Sequence, residues 1–101
     1  MKIPKKLKIA GFIWDVAENK EVTNEGGCYG STHNNLQKIF LEPKMTIQKR
    51  DQVFLHEILH AVWNSYGLSY NKDFNHDKEE LVVDALSNGL YQVLRDNNLL
   101  K

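Results

Sequence analysis

"VFLHEILHAVW", residues Val53 to Trp63, sets two histidines and a glutamate into an otherwise apolar run. Leu55, Leu59, Val62 and Tyr66 recur at three- and four-residue steps, which predicts an amphipathic helix from about Thr46 with Gly67 as its C-terminal cap. Titratable groups on a helix that packs into a core are costly unless they have partners, a metal or a chemical role. His56 and His60 are four apart, so both imidazoles lie on one face, one turn from each other, and two nitrogens can grip one ion. Glu57 is about 100° round the helix from His56. It stands beside such an ion, where a carboxylate can take a proton from metal-bound water. Zinc suits neutral imidazole and carboxylate donors, and it lowers the pKa of its bound water to roughly 7. Both histidines fall at the rim of the apolar stripe, where an ion can meet core and cleft together.

After this helix "SYNKDFNHDK" reads as a polar connection. A second helix is expected from about Asp77 to Asn97, with Val83, Leu86, Leu90 and Val93 as its apolar stripe, Asp77 as its cap and acid in its first turn. On the N-terminal side, "LKIAGFIWDVAE" is rich in β-branched and aromatic residues around Ala10-Gly11, so it is one bent strand or a tight hairpin. "NKEVTNEGGCYGSTHNN" reads as loop with room for a short strand near Cys28 to Ser31. "LQKIFLEP" is a compact strand that Pro43 ends. Strands first and helices after make the class α+β, in one domain over residues 1–101. No repeat or low-complexity segment interrupts it.

Composition argues against several roles. Lys plus Arg and Asp plus Glu are equal at 13 each, so the chain lacks the basic surplus of a nucleic-acid binder, and no nucleic-acid partner is expected. Lys2, Lys5, Lys6 and Lys8 read as the solvated side of an edge strand. Cys28 is the only cysteine, so no intramolecular disulfide is possible; it reads as a small packed residue in a reducing compartment rather than a catalytic thiol. The apolar run Ile9 to Trp14 is too short for a signal peptide, and no stretch has membrane-spanning length. A soluble, cytoplasmic protein with no membrane partner is expected.

Two histidines leave a catalytic zinc one protein ligand short. Tyr66 and Trp63 occupy the positions at which the long metzincin pattern needs histidine and glycine, so that pattern is excluded. His76, Glu79 and Glu80 remain. Glu79 shares the register of the second apolar stripe. Glu80 is offset from it much as the histidines are from theirs, so both sets would meet at one rim, with Ser87 small enough to let the helices close there. The reading favours Glu80, with Glu79 then an exposed first-turn acid, and leaves Glu79 and His76 open.

Glu80 stands twenty residues after His60 and is followed four residues later by Asp84. In this the chain resembles gluzincin peptidases, which implies Glu80 as third ligand and Asp84 as the acid that orients a ligating histidine. "ELVVDALS", Glu80 to Ser87, resembles the second motif, E-x-x-A-[DN]-x-F-A, of small phage and prophage zincin-like peptidases and the ImmA/IrrE metallo-endopeptidases. It departs from that motif at Val83, Leu86 and Ser87. "LSNGLYQVLRDN", Leu86 to Asn97, is similar to the C-terminal ends of such small phage proteins. The likeness covers the C-terminal half and reaches the strands only loosely. It implies a minimal zincin domain with one zinc, acting as a peptidase in a bacterial host's cytoplasm. An edge strand would then lie over the active helix. "KIFLEP", Lys38 to Pro43, is the strand expected to hold an extended peptide or protein substrate by backbone hydrogen bonds.

A donor for the oxyanion could be His33, Tyr29, Tyr70, His76 or Tyr91, with His76 first because it neighbours Glu80. Trp14, Trp63 and Phe12 read as core or cleft wall. The rival reading is a non-catalytic module stapled by zinc that binds another protein, such as a phage or host regulator. Glu57 discriminates between the two, since a structural site has no need of a carboxylate beside an open coordination position.

Overall fold

Ala10 and Gly11 both take positive φ, 52° and 85°, so a two-residue turn joins β1 (Lys6–Ile9) to β2 (Phe12–Glu18). Such a turn matches the right-handed twist of an antiparallel pair, and "LKIAGFIWDVAE" is therefore a hairpin. The computed structural model describes residues 1–21 and 29–100. Two further strands follow, β3 (Gly30–His33) and β4 (Lys38–Leu41), then α1 (Ile47–Ser65), a 3₁₀ turn at Leu68–Tyr70, and α2 (His76–Asp96). A four-stranded sheet followed by two helices is an α+β fold.

The strand order is β1-β2-β4-β3, with β2 and β4 parallel and the other pairs antiparallel. This corrects the place of "KIFLEP". β4 is hydrogen-bonded on both sides and has no free edge, and the sheet's edges are β1 and β3. Its makeup suits the interior: Ile39 and Leu41 are buried on one face while Phe40 is half-buried on the other. β3 begins two residues later than the strand expected near Cys28 to Ser31, and Cys28 lies outside the described residues.

Thr46 opens α1 by accepting a hydrogen bond from the Lys49 backbone N–H, and Gly67, at φ 85°, follows the last turn. Val53, Phe54 and Ala61 press onto Ile9, Trp14, Val16, Ile39 and Leu41 to form the core. Of the expected stripe Leu55, Leu59, Val62 and Tyr66, Val62 packs against this core while Tyr66 is 68% exposed. A helix apolar on most sides does not declare which side meets a sheet. Here the fully buried Ala61 and a glycine on β3 admit the closest approach, so the sheet takes the Val53–Glu57–Ala61 side.

Asn75, not Asp77, caps α2: its side chain accepts from the Lys78 N–H, while Asp77 and Glu79 lie in the first turn. The acids of α2 pair with α1 residues in descending order, so the two helices run antiparallel. Only Val83 and Ser87 of α2 are buried, and the expected partners Leu86, Leu90 and Val93 are exposed. Ser87 is fully buried where its hydroxyl meets His56, while those larger apolar residues lie exposed. Among the described residues, no helix is long and apolar enough to cross a membrane.

Candidate metal centre

His56 and His60 project from consecutive turns of α1 toward α2, and their Nε2 atoms converge to 3.1 Å. α2 holds the other nitrogen of each ring. His60 Nδ1 hydrogen-bonds Glu79 Oε2 at 2.6 Å. His56 Nδ1 lies 3.2 Å from Asp84 Oδ1 and 3.4 Å from Ser87 Oγ. An ionised carboxylate can only accept, so each Nδ1 is placed to donate, and a neutral ring then turns its Nε2 lone pair toward the other ring. The two Nε2 atoms, 3.1 Å apart, can share a hydrogen bond or face one common cation. Glu80 Oε1 stands 3.4 Å from His60 Nε2, which brings a third donor to the same point. His56, His60 and Glu80 thus form a group able to hold a metal ion, with one ligand atom from each within 4.8 Å of the others. Donor atoms around a small four-coordinate metal ion stand roughly 3.3 Å apart, which the 3.1 and 3.4 Å separations approach.

Glu79 is therefore not the exposed acid expected if Glu80 ligates. Its side chain is 19% exposed and it braces the back of His60. Adjacent residues on a helix point about 100° apart, and α1 passes close enough to be reached by both glutamates. His76 is 79% exposed and stands 3.8 Å from Glu80 Oε1, at the mouth of the site rather than among the converging atoms.

Glu57 takes the sheet side of α1 and is 6% exposed. The Thr32 hydroxyl shares its one hydrogen between Glu57 Oε1 at 2.8 Å and the Glu57 carbonyl at 3.0 Å. Burial pushes the Glu57 carboxyl above the usual glutamate range. The Thr32 hydrogen bond and the neighbouring imidazoles oppose that rise, and Glu80 adds to it. Gly30 makes the approach possible, since a Cβ there would lie 2.8 Å from Val53 Cγ1 and 2.9 Å from Glu57 Cγ. Nothing in the periodicity of "GSTH" marks Thr32 or Gly30. Their part follows from β3 lying across α1.

Two clefts of about 350 and 340 Å³ adjoin the site and share Glu57, His60 and Glu80 as walls, so they form one groove past the donors. Tyr29 and Lys49 line one end, and Asn34 and His76 the other. Among the described residues β3 pairs only with β4, so the strand edge beside the site is β3. Of the expected oxyanion donors, Tyr29 and His76 border the groove. His33 turns to the far face of the sheet against Phe40, Tyr70 lines a separate pocket with Phe12 and Trp14, and Tyr91 lies under Arg95. Trp14 and Trp63 are buried and Phe12 is exposed, so Phe12 is not core.

No protein-family model, curated protein or solved structure matches this chain. The likeness to zincin-like peptidases accordingly rests on the motif residues.

Proposed function

We propose that this chain is a zinc-dependent peptidase of the small phage or prophage type, working in a bacterial cytoplasm. One observation carries the reading: a buried carboxylate, Glu57, is held by Thr32 beside three converging donors and an open groove. A structural site needs the donors alone. His56, His60 and Glu80 would hold the zinc, which when bound would supply Lewis acidity and acidify a water.

The chain's own residues do the rest. Glu57 accepts the nucleophile's proton at a carboxylate oxygen and returns it to the leaving amine, a task its raised pKa suits. Thr32 fixes the rotamer of that carboxylate. Glu79 and Asp84 keep Nδ1 of each histidine protonated and Nε2 free. The free edge of β3 offers backbone groups to an extended substrate. His76 can donate a hydrogen bond to the developing oxyanion from the groove's rim.

A second reading draws on α2, which buries only Val83 and Ser87. An ion shared between α1 and α2 would tie down a helix that apolar contact holds weakly, as in a zinc-stapled binding module. Glu57→Gln separates the two. The variant should retain zinc and its melting temperature, while cleavage of peptides found by a mass-spectrometric library screen falls about 10²- to 10⁴-fold. Undiminished cleavage would remove Glu57 as the base, and a wild-type protein that cleaves nothing while its zinc is retained would leave the stapled module as the function.

A further inference from the structure

The equal counts of acidic and basic residues conceal two unlike faces. α1 is the only described helix packed on the sheet, and it covers one side. Strand alternation turns Lys6, Lys8 and Lys38 to the other side, with Asp15, His33 and Phe40. Lys6, Asp15, Lys38 and His33 stand in one row across the four strands, and Lys6 Nζ lies 2.8 Å from Asp15 Oδ1. Three lysines face one aspartate there, while the acids of the metal centre gather on the opposite side of α1.

Lysines on β1 alone would be the ordinary protection of an edge strand. Lys38 is not on an edge, because β4 lies inside the sheet. In the next row Phe40 stands between Ala17 and Ser31, both too short to cover its ring, and His33 meets it edge-on at 5.3 Å. A half-buried aromatic ring with one part reaching the surface among cations is the combination by which four-stranded sheets take single strands: bases stack on the ring and phosphates meet the lysines.

We propose that this sheet face, uncovered among the described residues, binds single-stranded nucleic acid, with Lys6, Lys8 and Lys38 meeting backbone phosphates and Phe40 stacking a base. An acidic protein surface would suit the lysines but leaves the ring without a purpose. The site is independent of the metal centre.

Fluorescence anisotropy of the zinc-loaded protein with a labelled oligothymidylate of about 12 nucleotides tests the proposal. Three phosphate contacts predict a slope of about −2 for log affinity against log salt. Each Lys→Gln change at Lys6, Lys8 or Lys38 should flatten that slope by about 0.7. Phe40→Ala should weaken binding roughly 5- to 100-fold, with Phe40→Leu keeping the bulk without the ring should Phe40→Ala fail to fold. Glu57→Gln should bind like wild type. No binding by the wild type, or binding unchanged when all three lysines are replaced, overturns the proposal. So does equal or tighter binding of a polyglutamate peptide on the same lysines, which would make the partner an acidic protein.

Discussion

α1 has two interfaces of opposite kinds. Toward the sheet it presents Val53, Phe54 and Ala61 to Trp14, Val16, Ile39 and Leu41, a contact of apolar side chains; the buried charges of α1 are Glu57 and Asp51, the latter paired with the Met1 amino group. Toward α2 it presents His56, His60 and Gln52 to Asp84, Glu79, Glu80 and Asn88, with Val83 and Ser87 the only buried residues on the α2 side. The first interface is driven by removal of apolar surface from water and does not use the converging metal donors. The second is a set of directional polar contacts whose strength depends on what the imidazoles hold. A small chain can thus keep a stable platform while leaving its chemistry on a seam of polar contacts.

Changes that separate the two interfaces sharpen this comparison. The largest effect on folding is expected at the apolar one. Phe54→Ala should cost about 3–5 kcal/mol in denaturant unfolding, with the same loss in zinc-loaded and chelated protein. A loss confined to the metal-free form would break the comparison.

On the polar side, Glu80→Ala removes a donor and should weaken zinc affinity more than 100-fold or so, beyond the ~10- to 100-fold typical of an outer partner. Glu79→Ala and Asp84→Ala each remove the partner of one Nδ1 and should fall within that ~10- to 100-fold range. A zinc-buffered indicator titration orders the three, and a greater loss in Glu79→Ala than in Glu80→Ala would exchange their roles.

Gly30→Ala places a methyl group where β3, Val53 and Glu57 already touch. Overpacking of this kind should cost about 1–3 kcal/mol in thermal unfolding. It should also lower any cleavage activity more than zinc content, since the methyl group meets Glu57 rather than a donor to the ion. The smallest effect lies farthest from either interface. Ala10 holds φ 52° in the hairpin turn, a conformation that asparagine before glycine accepts more readily. Ala10→Asn should raise the melting temperature by a few degrees with zinc affinity unchanged.

Much of this was legible because it is local. The four-residue spacing of His56 and His60 places two rings on one face in any helix. Gly67 and the Ala10-Gly11 pair mark a helix end and a turn by their own backbone preferences. Asn75 and Asp77 show where local reading frays: both are good caps two residues apart, and hydrogen-bond geometry at the Lys78 N–H chose the former. The side of α1 that meets the sheet was hidden because Leu55 and Leu59 are as apolar as Val53 and Phe54, and periodicity cannot rank equals.

By itself the sequence determined a helix carrying H-E-x-x-H, a second helix able to supply an acid, and strands ahead of both. Only the tertiary structure decided that β4 lies inside the sheet and β3 at its edge, that Thr32 holds Glu57, and that Glu79 braces His60 while Glu80 joins the converging atoms. Apart from the local β3–β4 pairing, those are contacts between residues 19 to 25 positions apart, set by which elements pack together and how closely. Backbone propensity and side-chain period act over one or two turns of chain and carry no information about neighbours brought in from so far away.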